Sequence, residues 1–257
     1  MKFKGIIFDI NGTRIDIHTE EGHEEIYRAI AHFLNYQGVN IHRWQVKDEY
    51  FKIMDEQRHA SQEHHPEFNV VKLWTEFLKR KIGASTTLPP EKLEQMPLFL
   101  AELYRGISLF RLQLYPEVHK LLEELHPLYQ LAIVSDAQSA WALPELRQVG
   151  IASYFKPIII SGDYGFRKPD RRLFEAALSE LKLQPEQALF VGNDMYHDVF
   201  GAKQLGLKTV FFSSNQGKKH MDGVEPDYII YHFGELRQAI DFLEHKDNAE
   251  ASGVNPV

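Results

Sequence analysis

Asp9 closes the apolar run Gly5-Ile6-Ile7-Phe8 and leads into Ile10-Asn11-Gly12-Thr13. An apolar, β-branched and aromatic run that hands a carboxylate to a Gly-Thr turn reads as a buried strand with Asp9 at its carboxyl end. Three other groups repeat that placement. Ser135 ends Leu131-Ala132-Ile133-Val134, with Asp136 next to it. Lys168 stands in Gly165-Phe166-Arg167-Lys168-Pro169-Asp170, and Asn193, Asp194 and Asp198 follow Val191-Gly192. Each has a plain structural reading: a turn-capping Asp, a helix-capping Ser, a solvated basic turn, and acids at a helix start. Together they are a nucleophile, a hydroxyl donor, a cation and oxygen ligands, all at strand ends where open α/β sheets carry chemistry. That set suits attack by Asp9 on a phosphoryl group. Two unit charges ~4 Å apart repel by about 4 kcal/mol at an effective dielectric near 20, so a lysine and a hard cation are needed to offset the repulsion. Mg²⁺ takes oxygen ligands and keeps several waters, so a few carboxylates suffice. Phosphoryl transfer then rests on positioning and charge stabilisation.

These residues need elements to carry them. Residues 4–10 read as a strand. From about Thr19 the pattern turns helical: Ile26, Ile30, Phe33 and Leu34 recur at helix spacing, and Gly38 is a stop signal. Residues 43–63, 70–82 and 90–110 read as three more helices, with the turn Thr86-Thr87-Leu88-Pro89-Pro90 between the last two. No strand is expected between 19 and 112. After Tyr115-Pro116 the pattern alternates. Helices at 117–126, 138–149, 170–181, 197–205 and 234–244 separate strands at 129–135, 157–161, 188–192, 208–212 and 227–231. Such alternation implies an α/β fold with a mostly parallel, Rossmann-like sheet covered on both faces. The expected layout is a core of residues 1–18 and 113–245, an inserted α-helical cap of residues 19–112, and a loose polar tail at 246–257. A cap above the strand ends can exclude water and select substrate.

Bulk composition excludes other classes. The 257 residues suffice for one large domain or a core with an insertion. The absence of cysteine rules out disulfides, thiolate catalysis and cysteine zinc sites. A formal charge of -7 argues against nucleic acid or an anionic membrane as partner, though not against a small anionic substrate. No apolar run approaches the ~18 residues of a membrane span, and no signal-peptide pattern is present. A cytoplasmic protein is expected, with its oligomeric state open.

The motifs, their order and the position of the insertion resemble the haloacid dehalogenase (HAD) superfamily of Asp-nucleophile hydrolases. The likeness runs over about residues 4–245. The insertion lies where the phosphatase and dehalogenase branches carry a helical cap. The resemblance implies strand order 5-4-1-2-3, Mg²⁺ as cofactor and a small phosphorylated metabolite as substrate. By the same likeness Asp9, Asn11, Thr13, Ser135 and Lys168 take the catalytic positions. Asp9, Gly12, Ser135, Asp136 and Lys168 surround the phosphoryl group, and the metal ligands come from Asp9, Asn11, Asn193, Asp194 and Asp198.

Two departures stand out. Family phosphatases carry a proton-shuttling Asp where this chain has Asn11, and an amide cannot shuttle a proton. General acid–base catalysis contributes roughly 10²–10⁴ in rate, so turnover of alkyl phosphates is expected to suffer. The metal contact made there by the backbone carbonyl is kept. Motif four is offset as well, with Asn193 directly after Gly192; Asp194 is preferred over Asn193 as the charged ligand. A 2-haloacid dehalogenase using Asp9 needs no acid at Asn11. Dehalogenases, however, have tyrosines where Asn11 and Phe174 stand, and they lack a catalytic metal. A non-catalytic protein that binds a phosphorylated ligand is the third reading.

Other residues are less specific. His59, His64 and His65 lie in a polar stretch read as an exposed loop. His197 either touches substrate or starts a helix. Arg43, Trp44 and Trp74 in the insertion are candidates to face the substrate cleft, against the plainer reading of a surface Arg and a buried Trp, and Lys218-Lys219-His220 reads as a solvated loop. Arg14 stands where the family has an apolar residue, placed to reach an anionic substrate or to pair with Asp16.

Overall fold

Side chains along a strand alternate between faces, and in this chain both faces are apolar. The computed structural model describes residues 3–83 and 88–252, with 246–252 by backbone alone. The chain opens with β1 (Gly5–Phe8) and β2 (Ile15–Thr19), then α1 (Glu24–Tyr36), α2 (Arg43–Ala60), α3 (Val70–Lys81) and α4 (Pro90–Ser108). Next come β3 (Leu109–Leu114), α5 (Val118–Leu125), β4 (Gln130–Ser135), α6 (Ser139–Gln148) and β5 (Ile158–Ile160). The turn α7 (Ser161–Tyr164) precedes α8 (Arg171–Leu181) and β6 (Ala188–Gly192). A wide π-helical segment, Met195–Phe200, continues into α9 (Gly201–Lys203), followed by β7 (Lys208–Phe212), β8 (Tyr228–Ile230) and α10 (Leu236–Ser252).

Six strands form one parallel sheet in the order β5-β4-β1-β6-β7-β8. Counted along the core this is the expected 5-4-1-2-3 order, extended by β8. On one face Ile6, Phe8, Leu131, Ile133, Leu189 and Val191 pack with residues of α5, α6 and α10. On the other, Ile7, Ala132, Val134 and Phe190 pack with residues of α8 and α9. Burial on both faces is why the strands read as continuous apolar runs.

Three expectations need correction. Strands β2 and β3 pair antiparallel beside the sheet; β2 was not anticipated, and β3 begins at Leu109 although no strand was expected between 19 and 112. The 90–110 helix stops at Ser108 because Leu109-Phe110-Arg111-Leu112-Gln113-Leu114 alternates apolar and polar residues and pairs with β2. The tail is helical through Ser252, while 253–257 and the turn residues Thr86 and Thr87 lie outside the described residues.

Helices α1–α4 share their own apolar cluster, and Trp141 of α6 is buried in it. Its indole Nε1 donates to the Ala101 carbonyl at 2.8 Å, and Arg105 meets Glu145 at 2.5 Å. A second attachment runs through residues 65–70. Glu67 N donates to Gly165 O, and Arg167 N donates to His65 O. Val70 N donates to Gln138 Oε1, while Gln138 Nε2 donates to Phe68 O, both at 2.8 Å.

Candidate active site

The turn after β1 is tight. Gly12 N donates to Ile15 O, and Thr13 N and Arg14 N both donate to Ile10 O. Gly12 has φ +75, and a Cβ there would lie 2.4 Å from Asn193 Nδ2. Only glycine admits both the left-handed backbone and the close approach.

This turn sets Asp9 among the ends of β4 and β6 and the loop before α8. Asp9 Oδ1 accepts from Ser135 Oγ at 2.9 Å and from Lys168 Nζ at 2.8 Å. Its Oδ2 faces Thr13 Oγ1 at 3.2 Å, and Thr13 Oγ1 also donates to Asn193 Oδ1 at 2.8 Å. Asp9, Thr13, Ser135, Lys168, Asn193 and Asp198 are all buried. The residues that sequence reasoning drew from four separate motifs are therefore in mutual contact.

Motif four is arranged differently from the offset reading. Asp194, preferred there as the charged ligand, caps the π-helical segment. Its Oδ1 accepts from Tyr196 N and His197 N, and its Oδ2 accepts from Lys218 N at 2.7 Å. A carboxylate at a helix start finds unpaired N–H groups, and with Lys218 N these take up both Asp194 oxygens at the edge of the cavity that Asp9 lines. Asn193 instead turns its side chain to Thr13 and Gly12. Asp198 Oδ1 accepts from Lys168 Nζ at 2.5 Å, while its Oδ2 accepts from Asn193 N and Asp194 N, each at 3.0 Å. Among the described residues no three His, Cys, Asp or Glu side chains converge as a cation cage. The oxygens nearest that description are Asp9 Oδ2, Asn193 Oδ1 and the buried Asn11 Oδ1, which has no hydrogen-bond partner.

Asp136 lines the cavity with Asp9 and joins two loops. Its Oδ1 accepts from Lys168 N at 2.8 Å, and its Oδ2 lies 3.3 Å from His197 Nδ1 and 3.4 Å from Arg167 Nε. Burial works against the Asp136 carboxylate, yet His197, Lys168 and Arg167 outweigh it and hold its pKa below the usual range. Burial likewise disfavours the Lys168 ammonium, but Asp198, Asp9 and Asp136 push its pKa above the ordinary lysine value. Lys168 therefore stays charged at neutral pH. Asp198 moves upward because burial disfavours its charge, with Lys168 opposing that rise and Asp9 adding to it.

A cavity of about 150 Å³ opens on Asp9, Asn11, Lys168, Asn193, His197 and Gln216. Gln216 was not anticipated. It lies in Ser213-Ser214-Asn215-Gln216-Gly217, a polar run after β7, and a polar run after a parallel strand end is a usable signal. Its Nε2 donates to Asp16 Oδ1 and Ile17 O, which ties this loop to β2. Arg14 does neither of the things expected of it. Asp16 pairs with Arg111 and Gln113, and Arg14 is buried between the rings of Phe8 and Phe155. Arg43 stacks on Trp44, Trp74 is in the α1–α4 cluster, and His65 lies against Tyr196; none of them lines the Asp9 cavity.

A family model of haloacid dehalogenase-like hydrolases matches residues 3–206. The chain belongs to that family. Among relatives of this chain, glyceraldehyde 3-phosphate phosphatase of Pyrococcus furiosus is 29% identical over 122 residues, 48% of this chain and 50% of the relative. Pyrophosphatase PpaX of Bacillus velezensis is 33% identical over 124 residues, 48% of this chain and 57% of the relative. The chain thus spans about half the length of the curated relatives it matches. A 2-haloacid dehalogenase from Pseudomonas syringae pv. Tomato superposes with TM-score 0.69 at 20% identity, over 94% of this chain and 99% of that one. A HAD phosphatase from Thermococcus onnurineus gives 0.56 at 24% identity, over 93% and 98%. At these identities the two structures establish the fold. No described helix is long and apolar enough to cross a membrane.

Proposed function

We propose that this hydrolase cleaves small phosphate monoesters through a covalent phosphoryl group on Asp9. The observation that carries the reading is the convergence of Ser135 Oγ and Lys168 Nζ on one oxygen of Asp9. A hydroxyl donor and an ammonium beside the nucleophile are placed to hold the oxygens of the group it attacks. Asp9 Oδ1 would attack phosphorus as the bond to the alkoxide breaks, and water would then attack the phosphoryl–Asp9 bond and release phosphate. Relatives named as phosphatases of small phosphorylated compounds support the same substrate class. Such compounds are metabolites of the cytoplasm, so the reading carries a cytoplasmic location.

The donor set fits Mg²⁺. Asp9 Oδ2, Asn193 Oδ1 and an oxygen of Asn11 are hard oxygen ligands, and the buried Asn11 Oδ1 has no other partner. When bound, the ion neutralises phosphate charge. Asn193 rather than Asp194 supplies the motif-four ligand, and Asp136 acts on the Lys168 loop. Asn11 cannot protonate the departing alkoxide, whose proton comes from water. Helices α1–α4 act as the cap, closing over the strand ends and excluding bulk solvent.

The test compares the purified protein with Asn11→Asp and Asp9→Asn on para-nitrophenyl phosphate, alkyl phosphates and 2-chloropropionate, with and without Mg²⁺. Phosphate release should need Mg²⁺ and vanish in Asp9→Asn. Asn11→Asp should raise alkyl phosphate turnover about 10²-fold, and para-nitrophenyl phosphate less, since its leaving group needs little protonation. Metal-independent chloride release overturns the reading. Phosphate binding without turnover by any form makes the protein a binding module.

A further inference from the structure

Arg14 is 0% exposed, and its Nε, Nη1 and Nη2 all lack hydrogen-bond partners. Its guanidinium carbon sits 4.5 Å from the centre of the Phe8 ring and 4.3 Å from that of Phe155. Phe8, Ile10, Ile15 and Phe155 around it belong to one apolar cluster. Burying a charge without an acceptor is expensive, and two aromatic faces return only part of the cost. Asp16, two residues on, is taken by Arg111, Gln113 and Gln216. Burial lowers the Arg14 pKa to about 9, and the charge opposing that fall is Asp9. Arg14 is thus a cation in apolar surroundings, stacked on the residue that precedes the nucleophile of the proposed reaction.

The site has a use for it. Lys168 is bonded to two carboxylates, Asp9 and Asp198, so with both ionised these three groups sum to one negative charge. With the Mg²⁺ of the proposed reaction and a phosphoryl dianion both bound, the sum is again one negative charge. Arg14 brings that sum to zero, and it acts through protein rather than water, where charges are felt more strongly.

We infer that Arg14 is an electrostatic positioning residue: a cation stored behind β1 that favours negative charge at Asp9 and on the incoming oxyanion, at a cost in stability. The inference rests on the phosphatase reading, since it needs an oxyanion at Asp9. The test is Arg14→Met in the full chain. Its thermal unfolding is measured, and its affinity is titrated by calorimetry with Mg²⁺ near pH 8. The probes are orthophosphate, mostly a dianion there, and methanesulfonate, a tetrahedral monoanion. Arg14→Met should melt no lower than the parent, because an apolar side chain of similar length replaces an unpartnered charge. It should bind orthophosphate about tenfold more weakly and methanesulfonate about threefold, since a charge effect scales with ligand charge. Unchanged orthophosphate affinity, equal losses for the two anions, or a variant that melts lower or fails to fold each overturns the inference. A parent protein that binds neither anion overturns the phosphatase reading and this inference with it, whereas a binding parent and an unaffected variant overturn the inference alone.

Discussion

Asp9, Ser135 and Lys168 act through an oxygen of one carboxylate, and their contacts leave little tolerance. Gly12 shows how little. Gly12→Ala would force a Cβ to within 2.4 Å of the Asn193 amide at a φ of +75. The backbone alone costs about 1 kcal/mol, and the displaced Asn193 disturbs the ligand set. Phosphate release should fall at least ~10-fold with a small loss in melting temperature, and a 1 Å displacement can cost more than that. Steady-state assays beside thermal melts separate the two effects. At this scale the sequence was legible wherever a motif ended an apolar run. The meeting of Asp9 and Ser135 was legible because a strand end fixes where the next side chain points, whereas Lys168 reaches them from a loop beyond the turn α7. Asn193 and Asp194 were not resolved, because neighbouring residues at a strand-to-helix junction are sorted by the first N–H groups of the helix, and these claimed Asp194. Arg14 was misplaced because a charged residue beside Asp9 and Asp16 suggests an ionic partner, while the turn after β1 directs it between two aromatic rings.

At the scale of elements, the segment before α3 is the telling piece. Glu67 is buried where it meets Ser161 Oγ at 3.1 Å, with Phe68 N donating to its other oxygen and Arg58 3.9 Å away. Burial raises the Glu67 pKa, Asp136 adds to the rise, and Arg167, Ser161 and Arg58 oppose it. The native protein therefore holds a proton on Glu67 at pH values where the unfolded chain, near 4.5, has released it. Stability from this group is present at low pH and is lost as pH rises from about 4.5 through the raised native value. Glu67→Gln removes the ionisation and keeps polar contacts to Ser161. Its unfolding midpoint should match the parent near pH 4 and exceed it increasingly toward pH 8, as thermal melts in a pH series would record; a constant gap would contradict the assignment. Strands β2 and β3 mark where element reading ran out. Each is short, one follows the tight turn without a gap, and the other follows α4 directly, with Gly106 inside the last helical turn rather than after it, so local signals merged with their neighbours.

Across the whole molecule, the helical layer and the sheet core share side chains. Trp141 grows from a core helix but is buried in the α1–α4 cluster, stacked on Tyr104 with ring centres 5.9 Å apart. Two layers joined in this way should unfold together. Urea melts followed by tryptophan fluorescence and far-UV circular dichroism should coincide for the parent. Trp141→Ala should cost about 3–5 kcal/mol and pull the two curves apart. Coincident curves in the variant would show that the remaining attachments, at Gln138 and Glu67, suffice. That the sheet is parallel and covered on both faces was legible from alternation, since parallel neighbours must be linked by crossovers; its strand order was legible only through the family resemblance. The joint through Trp141 was not, because an apolar residue in an amphipathic helix does not announce which layer receives it.

The central position of β1 bears on how the chain is made. Its two sheet neighbours, β4 and β6, begin at Gln130 and Ala188. A ribosome therefore releases β1 long before either partner exists, with both edges bare and its Ile and Phe side chains uncovered. Nascent chains halted before Gly192 keep one of those edges open, and they should be the species that chaperones retain and that aggregate when translation stalls.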